Sequence, residues 1–114
     1  MKYMGLIGGV SPEATKIYYG LLNAHARERQ GGQHSAQLLF AMLDYGVMYA
    51  HYQRQDWQAF TDEVLKLARR LQSAGVRALA ITSGTTHVAA ETVARETGLP
   101  VFICWIASMR RWTN

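Results

Sequence analysis

Cysteine occurs once, at Cys104, and a single thiol excludes an intramolecular disulfide and any CxxC metal site. The four histidines, His25, His34, His51 and His87, are scattered without ligand spacing, so no metal site is expected. No run of about 18 apolar residues is present, which argues against a transmembrane helix and a membrane partner. The opening MKYMGLIGGVSPEA has one lysine, a short apolar run and no small-residue cleavage site, so it reads as a strand and turn rather than a signal peptide. Long runs of one charge are also missing. Twelve basic residues against eight acidic give a formal charge of +4, with basic pairs only at Arg69-Arg70 and Arg110-Arg111. Aromatic residues do not interleave with these cations, so no nucleic-acid partner is expected. The remaining expectation is a soluble, cytoplasmic protein with a general attraction for small anions.

What is present organises into one domain. The 114 residues are 49% hydrophobic, enough for a real core. The apolar run at 2–7, ended by Gly8-Gly9, reads as a buried first strand. Ser11 and Pro12 supply an N-cap and a first helical position, with Glu13 in the first turn. Ile17, Tyr18, Leu21, Leu22 and His25 then recur at helical spacing, which predicts a helix over about 12–29. The run AQLLFAML at 36–43 reads as a second strand closed by Asp44. Residues 45–55 are ambiguous, with a short helix as one reading. Asp56 can cap a helix over about 57–73, closed by Gly75. A third strand (76–82), a helix (85–97, ended by Gly98 and Pro100) and a fourth strand (99–106) complete the order β-α-β-α-β-α-β. Short links between strands and helices predict a parallel sheet with helices on its faces. Residues 1–106 are therefore expected to form a single α/β domain and 107–114 an irregular tail. A loop and another helix would be expected after the fourth strand, so the chain is expected to be a fragment, a truncation or an altered reading frame.

Ligands in an open parallel sheet bind beyond the carboxyl ends of the strands. Three segments fall there: GGVSPE (8–13), the turn around Asp44, and ITSGTTH (81–87). Glycine lets backbone approach a ligand, and a helix start offers unpaired N–H groups and a positive dipole end. Two helix starts facing one crevice would suit a carboxylate or phosphate. Each segment also has a plainer reading. GLIGG is not G-x-G-x-x-G and serves equally as a tight turn. Ser and Thr at a helix start act as caps, His87 can pack or cap, and Cys104 in an apolar strand can be inert core.

Taken together, GLIGGVSPEAT (5–15), GGQHSAQLL (31–39), Asp44 through Asp56-Trp57, LARRLQSAGV (67–76) and TSGTTHVAAETVARETGLPV (82–101) resemble the N-terminal half of the aspartate/glutamate racemase family. The resemblance covers about residues 3–102. It implies a Rossmann-like or flavodoxin-like three-layer α/β half of a two-domain racemase with its active site between the halves. It implies a small amino-acid or dicarboxylate substrate, no pyridoxal phosphate or other cofactor, and proton abstraction and return at Cα by one acid/base from each half, usually cysteine. Gly8, Gly9, Ser11 and Thr15 match the family's first substrate-side loop and helix. Ser83, Thr85 and His87 match the second. Thr82 occupies the position of the first cysteine, a departure, because a threonine hydroxyl is a far weaker acid than a thiol. Gly84 stands where the family has asparagine, and the C-terminal half with the second cysteine is absent. Arg54 lies in the region where aspartate-selective members place an arginine. The resemblance thus leads to an incomplete amino-acid racemase. The alternatives are a catalytically silent carboxylate- or phosphate-binding module and a self-associating chain, expected as a dimer. Tyr45, Met48, Tyr49, Tyr52, Trp105 and Trp112 are the candidate contact residues for association.

Overall fold

Among the described residues each apolar run and each helical spacing becomes an element near its predicted bounds; residues 85–86, the expected end of the fourth strand (104–106) and the expected tail (107–114) lie outside them. The computed structural model describes residues 3–8, 12–82 and 87–103. In chain order these form β1 (Met4–Gly8), α1 (Pro12–Gln30), β2 (Leu38–Met42), α2 (Tyr45–Gln53), α3 (Trp57–Ser73), β3 (Ala78–Ile81), α4 (His87–Thr97) and β4 (Val101–Ile103). The ambiguous segment after β2 is a helix, α2. Asp44 does more than end the strand: its Oδ1 accepts the Val47 N–H at 3.2 Å and caps α2. Asp56 caps α3 in the same way through the Ala59 N–H at 3.1 Å.

The helix ends follow from glycine. Gly31, Gly75 and Gly98 all have positive φ. At the end of α3 the Gly75 N–H donates to the Gln72 carbonyl at 3.0 Å and the Val76 N–H to the Leu71 carbonyl at 3.3 Å. That paired pattern is the Schellman motif, and Val76 and Leu71 share one apolar cluster, as the motif prefers.

The four strands are parallel in the order β2-β1-β3-β4. Side chains alternate across the sheet, so each face has its own core. On one face Ile7, Leu79 and Ile81 pack with Met48 of α2, Phe60, Val64, Ala68 and Leu71 of α3, and Ala89 and Val93 of α4. On the other, Met4, Leu6 and Ala80 pack with Leu22 of α1, and Tyr18, Leu38 and Phe102 adjoin them. Helices thus cover both faces, the three-layer α/β arrangement expected. Gly5 in β1 allows α3 to come close: a Cβ there would lie 3.0 Å from Leu71 Cδ1 and Leu79 Cδ2, and 3.2 Å from Val76 Cγ2.

Burial selects among the apolar residues of α1 and corrects one expectation for α2. Ile17 and Leu21 of α1 are exposed, Ile17 at 61%. The sheet-facing stripe is Tyr18, Leu22 and Ala26, and residues 17 and 21 sit about 100° away from it around the helix. Met48, expected at a contact surface, is 1% exposed, because α2 turns it into the core against α3 while Tyr45, Tyr49 and Tyr52 stay outside.

Candidate active site

The strand order determines where a ligand can sit. From β1 the chain runs through α1 to β2 on one side; from β3 it runs through α4 to β4 on the other. β1 and β3 are hydrogen-bonded neighbours, yet α1 and α4 pack on opposite faces. A sheet opens a crevice beyond the carboxyl ends of two such strands, where their connections diverge. Gly8 ends β1 and Thr82 follows β3 directly, so both expected site positions border this switch point.

Backbone hydrogen bonds tie the three strand ends together. The Leu43 N–H donates to the Gly8 carbonyl at 2.7 Å, bringing the end of β2 and Asp44 beside β1. The Thr82 N–H donates to the Ile7 carbonyl at 3.1 Å. The Thr82 hydroxyl donates to the same carbonyl at 3.3 Å, and the residue is 1% exposed. Thr82 therefore holds the end of β3 against β1, with its hydroxyl turned into the protein. A β-branched hydroxyl makes this contact readily at a strand end, and its position in the sequence does not reveal it.

Two helices start beside the crevice. α1 begins at Pro12, shortly after Gly8, and α4 at His87, shortly after Thr82. Their N-terminal ends carry the positive end of the helix dipole and favour an anion nearby. Asp44 is exposed at the third strand end and caps α2. Of the remaining expected site residues, Gly9, Ser11, Ser83, Gly84 and Thr85 lie outside the described residues. Thr15 and His87 are placed in α1 and α4 by their backbones, and their side chains lie outside the described set. Cys104, Trp105 and Trp112 also lie outside it. Arg54 is the C-cap of α2, about 14 Å of helix rise beyond Tyr45, and contacts His51 Nδ1 at 3.4 Å. It thus stands at the far end of α2 from the strand ends.

The sequence did not expose the switch point itself, because strand order is set by pairing and not by local pattern. It also did not separate the tyrosines of α2. Tyr45 and Tyr49 stack with ring centroids 5.8 Å apart, starting at the helix end next to Asp44; their i, i+4 spacing was the available signal. A second concavity of about 540 Å³ lies between α3 and α4, lined by Trp57, Thr61, Asp62, Val88 and Arg95 among others. It runs along the helix surfaces from the first turns of α3 and α4, at Trp57 and Val88, and none of the strand-end residues lines it. Among the described residues no group of three His, Cys, Asp or Glu side chains is placed to hold a metal ion, and no helix is long and apolar enough to cross a membrane.

The fold defines a class: a parallel α/β domain with two helix starts following the strands that meet at its β1–β3 switch point. Residues 7–111 match the family model described as Asp/Glu/Hydantoin racemase, and the chain belongs to that family. A crystal structure of a Yersinia pestis protein, provisionally described as an Asp/Glu racemase, is 33% identical over 89% of this chain with a TM-score of 0.85. An aspartate racemase homologue from Pyrococcus horikoshii is 25% identical over 90% of the chain with a TM-score of 0.82. The chain spans 44% and 45% of the length of those two proteins.

Proposed function

We propose that this chain forms one wall of a pyridoxal-phosphate-independent amino-acid racemase site, with the second wall and its acid/base supplied by a further half. The observation that carries the reading is the meeting of Gly8 and Thr82 at the switch point, in a chain that belongs to the racemase family. The substrate's carboxylate sits beyond Gly8, toward the starts of α1 and α4. Abstraction of the α-proton builds negative charge beside that carboxylate, and fixed N–H dipoles stabilise such charge without reorganising. Gly9, Ser11, Thr15, Ser83, Gly84, Thr85 and His87 are the residues assigned to hold the substrate around it.

Thr82 has a positioning role in this reading. A threonine hydroxyl is too weak an acid to become the base that a thiolate supplies near neutral pH. Its hydrogen bond to the Ile7 carbonyl supports that assignment, because it sets the spacing of the two strand ends. The small amino-acid substrate and the cytoplasmic setting belong to the same proposal. The burial of Thr82 also favours a second reading, a carboxylate-binding module without chemistry.

The test combines calorimetry with isotope exchange. The chain is titrated with aspartate, glutamate, other amino acids, simple dicarboxylates and inorganic phosphate, and each amino acid is then incubated in deuterated water. The proposal expects binding of amino acids and no deuterium at Cα from this chain alone. Deuterium entering both enantiomers would overturn the half-site assignment. No heat with any amino acid would overturn the racemase reading, and heat with phosphate and dicarboxylates alone would favour the binding module.

A further inference from the structure

The strand at one edge of the sheet is built unlike a protected edge. β2, Leu38–Met42, pairs only with β1 among the described residues, and all five of its residues, LLFAM, are apolar. Exposed edges are normally blunted by charge, proline or a covering element, because their free N–H and C=O groups recruit another strand. Here residues 35–43 contain no charged residue and no proline. The hydrogen bonds to β1 involve the Gln37 carbonyl at 3.1 Å and the Leu43 N–H at 2.7 Å. In a parallel ladder the bonding residues alternate, so Leu39 and Ala41 also face β1, and the backbone groups of Leu38, Phe40 and Met42 face outward. The same three side chains lie on the α1 face. Phe40 is 40% and Met42 51% exposed, and Tyr19 of α1, itself exposed, meets Phe40 edge-on at 5.5 Å.

We propose that this edge is a homodimer interface in which β2 pairs antiparallel with β2 of a second copy, joining two four-stranded sheets into one of eight strands. The occupant follows from self-complementarity. A two-fold axis through Phe40 places Phe40 opposite its own copy and Leu38 opposite the copy's Met42. All three pairs then fall in hydrogen-bonding positions and close six backbone hydrogen bonds. Side chains at opposed positions share a face, so Leu38, Phe40 and Met42 of both copies form one apolar cluster flanked by the two Tyr19 rings. Both copies carry a net positive charge, and a neutral strip is where they can meet without repulsion. Half-exposed Tyr19, Phe40 and Met42 would together remove about 300 Å² per copy, with the strand backbone in addition. A standard interface takes about 800 Å² per partner, so these side chains account for somewhat under half of one, and the strip fits a weak or moderate dimer.

The experiment is sedimentation equilibrium of the full chain over the micromolar to hundred-micromolar range, with Phe40→Lys, Met42→Lys and, as a control on α4, Val88→Lys. The wild type and Val88→Lys are expected to dimerise. Each lysine on β2 is repeated across the two-fold, which brings like charges together in a desolvated strip, so dissociation constants should rise on the order of 100-fold or more. Circular dichroism and a thermal transition establish that each variant folds. Phe40→Cys in a Cys104→Ser background gives an independent reading, because hydrogen-bonded pairs lie about 5.5 Å apart at Cα, within disulfide reach. It should yield a covalent dimer under oxidation, and Val88→Cys in the same background should not. A wild type that stays monomeric throughout, a dimer that survives both β2 lysines, or no Phe40→Cys crosslink would overturn the proposal. None of these outcomes depends on whether the crevice binds an amino acid.

Discussion

Adding one methyl group to Gly5 tests how closely α3 lies on the sheet. A Cβ at this position would stand 3.0 Å from Leu71 Cδ1, 3.0 Å from Leu79 Cδ2 and 3.2 Å from Val76 Cγ2. Carbon atoms prefer about 3.5–4.0 Å, so these neighbours would have to retreat by about 0.5 Å or more. Leu79 belongs to the adjacent strand β3 and is fully buried, so it has little room. Overpacking of this kind costs about 1–3 kcal/mol. Replacing glycine in a strand restores about 0.5–1 kcal/mol through the unfolded chain. Gly5→Ala should therefore destabilise by about 0.5–2 kcal/mol, read as a lower urea midpoint at unchanged slope. Leu71→Ala alone should cost about 2–5 kcal/mol, because Leu71 is buried in the main core. In the Leu71→Ala background the methyl enters vacated space, and its penalty should fall by about 1 kcal/mol, a coupling that a double-mutant cycle measures. An equal penalty in both backgrounds, or a gain from Gly5→Ala in the wild type, would refute the packing distance of α3 on β1.

Other substitutions probe single contacts. Asn23→Leu should cost about 1–3 kcal/mol in chemical denaturation, because Asn23 Oδ1 accepts the partly buried Ala36 N–H at 3.0 Å and that donor would lose its partner. Gly75→Ala should destabilise by about 1–2 kcal/mol, since φ is +95° at the end of α3. Gln55, the one described non-glycine residue with positive φ, at 55°, should respond differently: Gln55→Gly should change stability by no more than about 0.5 kcal/mol, as the relief of strain and the added chain entropy offset each other. Arg69→Met should alter stability by less than about 1 kcal/mol, because the Arg69–Glu96 pair at 3.2 Å is largely exposed and screened.

The elements were legible because each one carries its own boundary chemistry. Asp56 before α3, Gly75 and Gly98 after α3 and α4, and the apolar runs of β1 and β3 specify local structure without reference to anything distant. The facing of α1 was less so. Tyr18 with Leu22 and Ile17 with Leu21 are both apolar pairs at i, i+4, and only the position of the sheet selects the first. Met48 is hidden for a related reason: it lies within about 60° of Tyr45 and Tyr52 around α2, so it borders the exposed tyrosine stripe and composition does not mark the inner side. At the site, the glycine and hydroxyl positions marked the strand ends, but the pairing of β1 with β3 is a long-range choice that placed Gly8 and Thr82 together. Thr82 shows the difference most clearly. Its place in the motif marks a site position, while its burial and its hydrogen bond to the Ile7 carbonyl are visible only in the fold.

The central claim is that the crevice beyond β1 and β3 holds the carboxylate of an amino acid. Amide NMR spectra of the isotope-labelled chain, recorded while aspartate or glutamate is titrated to millimolar concentration, test it directly. Saturable shifts at the amides of Gly8, Asp44 and Thr82, with the exposed helix positions of α3 unmoved, are the predicted result. Saturable shifts confined to the groove between α3 and α4, or no shifts at any strand end, would contradict it.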